Sequence, residues 1–147
     1  MMLLAVIMIS CQKKIDMGAV SLGSSYAEVV EDLTKEDAQF EEKTDSIVRA
    51  YGEIYILDTE FKNIVCEFEN DRLQKISVWR KFSSLSDPAI QHFKKQMREL
   101  CGDGYSDTEE MVAGYGIEND NNGCIGGIKV VWNDNEDVFF ATIRLAD

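Results

Sequence analysis

The residues able to do chemistry are few: four cysteines, one histidine and an abundance of carboxylates. A structural zinc site needs thiolates and imidazoles at close spacing. Cys66, Cys101, Cys124 and His92 supply three sulfurs and one nitrogen, but no C-x2-C pair occurs and His92 has no second ligand one helical turn away. No metal site is expected. The run Glu118-Asn119-Asp120-Asn121-Asn122-Gly123 approaches a calcium loop, with oxygen donors at alternate positions and glycine at the sixth. It fails at its ends, where Glu118 replaces aspartate at position one. Lys129 stands at position twelve, where a bidentate glutamate should clamp the ion. The stretch reads as a solvated loop. Nucleophilic catalysis needs a base beside the nucleophile, and no G-x-S-x-G elbow or cysteine-protease signature accompanies His92. The many acids make chance pairs in any fold, so no catalytic residue is assigned. No P-loop and no dinucleotide-binding glycine run after a strand is present, and no cofactor is expected.

Cys11 is different, because its thiol stands at a boundary. An uncharged apolar run, residues 1–9, ends through Ser10 at Cys11 and is followed at once by Gln12, Lys13 and Lys14. The run is far short of the roughly 20 residues a membrane span needs, yet it suits the h-region of a signal peptide. Its end resembles the lipobox of exported bacterial lipoproteins, in which the cysteine becomes the first mature residue and carries acyl chains. That resemblance implies a signal peptide at 1–10, lipidation at Cys11, a tether over 11–17 and one domain over 18–147. It places the protein in the cell envelope, held to the membrane through its lipid, at the outer membrane facing the periplasm.

Charge supports a covalent rather than electrostatic attachment. Against 15 Lys and Arg stand 27 Asp and Glu, a formal net charge of −12. A chain of this sign repels phosphate backbones and anionic lipid alike, so nucleic-acid binding is excluded as a function class. Hydrophobic content of 45% with a single proline excludes a disordered chain. With Cys11 acylated, three cysteines remain. Either Cys101 and Cys124, both flanked by loop-type sequence, form one disulfide, or all three are reduced, buried thiols.

Two helices and a set of strands must carry these residues. Ser25 and Glu28 form a capping box, and Val29, Val30 and Leu33 follow on one face. The polar stretch 34–44 reads as a loop, and 47–51 is open between strand and helix with a slight preference for strand. The period then changes to two over 54–57, 64–68 and 73–79, with Asn70-Asp71 as a tight turn. Asp87 before Pro88 starts a second helix striped with Ile90, Phe93, Met97 and Leu100 and ended by Gly102. Residues 103–127 read as long loops around a short strand near 111–115, and a final hairpin pairs 128–132 with 138–145. The halves read as one repeated unit, helix then hairpin. The expectation is an α+β fold, an antiparallel sheet built from two helix-plus-hairpin units with both helices packed on one face. A ligand or partner surface is expected on the sheet face opposite the helices.

The stretch Val20-Ser21-Leu22-Gly23-Ser24-Ser25-Tyr26-Ala27-Glu28-Val29, with Leu33 beyond it, resembles the opening of the small outer-membrane lipoproteins of the SmpA/OmlA type and of the related β-lactamase-inhibitor-like fold. The hairpin from Val65 to Ile76 is similar to the family's Phe, short turn, Lys-Leu, Ile pattern. The resemblance implies a non-catalytic, membrane-tethered binding or scaffold protein with a protein partner in the envelope. The alternatives are a secreted or periplasmic protein inhibitor of a hydrolase and a small hydrolase with unidentified acid residues.

Overall fold

Alternating burial, apolar in and polar out, organises most of the chain into strands. The computed structural model describes residues 14–82, 87–101, 114–115, 124–132 and 137–145. In chain order these form β1 (Ile15–Asp16), β2 (Ser21–Leu22), α1 (Tyr26–Lys35), β3 (Gln39–Lys43), β4 (Ile47–Ile56), β5 (Thr59–Glu69), β6 (Arg72–Lys81), α2 (Pro88–Cys101), β7 (Gly114–Tyr115), β8 (Cys124–Trp132) and β9 (Asp137–Leu145). β1 and β2 make a small hairpin. The other seven strands form one antiparallel sheet in the order β3-β4-β5-β6-β9-β8-β7.

This architecture overturns the expected pair of helix-plus-hairpin units. The fold is predominantly an antiparallel sheet, and its two halves are not equivalent. The first helix is followed by a four-stranded meander, the second by β7 to β9, and β9 joins the halves by pairing along β6 from Lys75↔Arg144 to Lys81↔Val138. Residues 39–43, inside the stretch read as a loop, are the edge strand β3. Its sequence, Gln-Phe-Glu-Glu-Lys, is charged for a physical reason: an edge strand with exposed charges resists pairing with another chain.

Local chemistry explains the element ends. Ser25 Oγ accepts from the Glu28 amide at 3.2 Å while the Glu28 carboxylate accepts from the Ser25 amide at 3.1 Å, the two halves of a capping box. Asp87 caps α2, its carboxylate accepting from the Ala89 amide at 2.9 Å. Asn70 and Asp71 both take positive φ, 53° and 56°, as a two-residue hairpin turn of the right twist demands. Leu57 and Asp58 make an equivalent turn, φ 49° and 63°, between β4 and β5. Gly18, at φ 108°, lets the β1–β2 hairpin lie on β4; a Cβ there would meet the Tyr55 carbonyl oxygen at 2.8 Å.

The core lies on one face of the sheet. Phe93 on α2 is fully buried, its ring edge-on to Phe61 and Phe139 at centroid distances of 5.0 and 5.8 Å. Met97 and Ile90 on the same stripe are buried, whereas His92 and Lys95 are exposed. On α1, Val29 and Leu33 are buried and Tyr26 packs on Phe68 at 5.1 Å. The β1–β2 hairpin completes this layer. Ile15 and Met17, within the stretch read as tether, are buried, so the ordered fold begins earlier than residue 18. Met17 and Ile15, one and three places before Gly18, are apolar and had a core to enter.

Candidate functional site

On the opposite face, the register aligns Tyr51 on β4, Asn63 on β5, Trp79 on β6 and Phe140 on β9 in one row across four strands. Neighbours in sequence explain why aromatics appear here. In a strand, successive side chains point to opposite faces, so in Phe139-Phe140 one ring must enter the core and the other must not. Phe139 is buried under α2, and Phe140 is half-buried on the other side. Val78 and Trp79 divide in the same way. The Trp79 and Phe140 rings lie 6.0 Å apart with their planes inclined by 31°, a tilted stack across the β6–β9 pair.

A gap in the sheet turns this row into a groove. β5 and β6 pair from Glu69↔Arg72 to Asn63↔Trp79 and then part, while β9 stays on β6 as far as Lys81. At the same level β4 carries an irregularity between Tyr51 and Ile54, where its register with β5 shifts. Arg80 spans the gap, its Nη1 donating to the Glu60 carbonyl oxygen at 2.9 Å. The resulting cavity, about 520 Å³, is lined by Glu60, Lys62, Asn63, Trp79, Arg80, Lys81, Val138 and Phe140. Its size is in the range of small-molecule pockets. Its floor is aromatic and aliphatic.

The groove is lined by charged as well as apolar side chains. Among the described residues that line it are Lys62, Arg80, Lys81 and Glu60. Lys62 Nζ lies 2.5 Å from Glu60 Oε1, and this hydrogen bond raises the lysine pKa above its ordinary value. Arg80 is half-buried, and among the described residues no carboxylate is paired with it.

The other candidate residues lie elsewhere. His92 sits on the exposed surface of α2, across the sheet from the groove. Cys66, paired in register with Val48 and Ile76, is buried, and loss of solvation pushes its thiol up to about 12, leaving it protonated and inert. Cys124 is buried, with its Sγ 3.8 Å from the carbonyl oxygen of Leu100, which places β8 beside the end of α2 and hence near Cys101 in the chain. The Cys101 side chain, Cys11 and the Glu118–Gly123 run lie outside the described residues. Among the described residues no group of three His, Cys, Asp or Glu side chains could hold a metal ion. No helix among them is long and apolar enough to cross a membrane.

The sequence reading pointed to the face but missed the groove. Neither Trp79 nor Phe140 was assigned to a site there; the doublets Val78-Trp79 and Phe139-Phe140 were the available signal. Comparison with protein-family models, with curated proteins and with solved structures finds no match for the chain.

Proposed function

We propose that this protein is a lipid-anchored envelope binding module without catalytic activity, tethered through Cys11 and using the groove at Trp79 and Phe140 as its recognition site. The observation that carries the reading is the position of the groove relative to the tether. Lys14, the first described residue, forms an ion pair with Glu28 in the first turn of α1. That turn is fastened to the β5–β6 turn, since Tyr26 donates its amide to the Asp71 carboxylate at 3.0 Å and the Leu73 amide donates to the Ser24 carbonyl oxygen at 2.7 Å. The chain therefore enters at the start of β6, and the groove lies at its far end. Six residues separate Leu73 from Trp79, roughly 20 Å at about 3.3 Å per residue. A lipid at Cys11 would then attach at the end of β6 opposite the groove.

The groove's chemistry favours binding over reaction. Among the described lining residues the one carboxylate, Glu60, is engaged by Lys62, and the chain's single histidine is on the other side of the sheet. Among the described lining residues none is a poised base beside a nucleophile.

Attachment is tested by labelled-palmitate incorporation and membrane fractionation in a diderm bacterial host. Wild type takes the label and sediments with membranes; Cys11→Ala takes none and is lost from the membrane fraction. A Cys11→Ala protein still firmly in the membrane pellet contradicts the reading.

A further inference from the structure

The uncharged polar groups of the groove specify a ligand class, an inference that rests on the groove being the recognition site. Lys62 and Glu60 satisfy one another, so the pair calls for no counter-ion from a ligand. Asn63 is placed differently. It stands between Tyr51 and Trp79 in the open-face row and is half-buried, and among the described residues its side-chain amide makes no hydrogen bond. That amide offers two donors and an acceptor oxygen. The Trp79 indole N–H likewise has no acceptor among the described residues. A purely apolar ligand against Trp79, Val138 and Phe140 would strip water from these groups and return no hydrogen bond, which costs affinity. The matching ligand carries hydroxyls at its edge and an apolar face. A pyranose with equatorial hydroxyls has both, because its axial C–H groups make the ring faces apolar, whereas an axial hydroxyl would lift the ring off an aromatic surface. Length points to more than one such ring. From Tyr51 to Phe140 the row crosses three interstrand steps, roughly 14 Å at about 4.8 Å each, and Tyr51 is exposed.

We propose that the groove and its row bind a neutral oligosaccharide of equatorially hydroxylated pyranoses, with ring faces on Trp79 and Phe140 and hydroxyls hydrogen-bonded to the Asn63 amide. An uncharged ligand also meets no repulsion from a chain of net charge −12.

The test is isothermal titration calorimetry of the whole domain with cellotriose, with methyl β-D-glucopyranoside, and with 2-naphthalenemethanol, which reads the rings alone. Wild type should bind cellotriose at least fivefold more tightly than the single-ring glucoside, and added salt should leave both affinities unchanged. Asn63→Ala should weaken cellotriose about tenfold and leave 2-naphthalenemethanol unchanged, which a merely structural role for Asn63 would not do. Trp79→Leu should weaken both. Binding of 2-naphthalenemethanol without cellotriose, or a cellotriose affinity indifferent to Asn63→Ala, overturns the saccharide assignment while leaving a binding groove. No heat from any probe overturns the assignment and the groove together. Neither outcome bears on membrane attachment, which fractionation reads independently.

Discussion

The two faces of the sheet use similar residues to opposite ends. Under the helices, Phe61, Phe93 and Phe139 meet edge to face, fully buried, with Val78, Ile76 and Ile143 around them. On the other face, Trp79 and Phe140 stack at a similar distance but stay half-exposed among lysines and an arginine. Aromatic rings on the covered face exclude water from each other, while those on the open face leave a place where something else can do so. An aromatic residue is thus not a sign of core or of site by itself. Its strand parity and the presence of a covering layer decide which it is.

Breaking the contrast on the covered side should have the largest effect. Phe93→Ala leaves a cavity bounded by Phe61 and Phe139 and should cost about 3 to 5 kcal/mol in urea unfolding. The neighbouring His92→Ala, on the exposed side of α2, should cost less than about 0.5 kcal/mol. A comparable loss from both would mean that α2 does not present the stripe described. On the open side, Trp79→Ala removes a half-buried ring and should cost about 1 to 2 kcal/mol, clearly below Phe93→Ala although tryptophan is the larger residue. Equal losses from the two would erase the distinction between the faces.

How far the sequence reached also follows the two faces. The covered side was legible because helix stripes and capping residues are local: Ser25, Glu28, Asp87, Phe93 and Met97 do what their spacing predicts. The meander was less so. Leu57, an apolar residue expected in a strand, occupies a left-handed turn position with Asp58, and β3 was concealed by the charges that protect a sheet edge. Reading residues 39–43 as a loop is what made the halves look repeated. The groove was least legible of all. It depends on where the β5–β6 pairing ends, at the level of the β4 irregularity near Gly52, and local composition does not record where two strands stop pairing.

The smallest effect concerns the end of the fold nearest the tether. Lys14 and the Ser25 amide hold the Glu28 carboxyl below its ordinary value, the lysine contributing most. A carboxylate whose pKa is lower folded than unfolded adds stability above its unfolded pKa, near 4.5, and loses it as pH falls through the folded value. The stability difference between wild type and Glu28→Gln should therefore be present at pH 7 and shrink steadily below about pH 4.5. A difference that grew on acidification would contradict the capping-box geometry. Because both partners are well exposed, salt should reduce the Lys14 contribution.

The division of labour between the faces is tested most directly by amide chemical-shift mapping of the domain titrated with 2-naphthalenemethanol, a neutral aromatic probe for the Trp79 and Phe140 rings. The perturbed amides should cluster at Glu60, Lys62, Asn63, Trp79, Arg80, Lys81, Val138 and Phe140, with those of Val29, Leu33 and Met97 unmoved. Shifts centred on α1 or α2, or spread evenly over the chain, would place recognition on the wrong face and contradict the account.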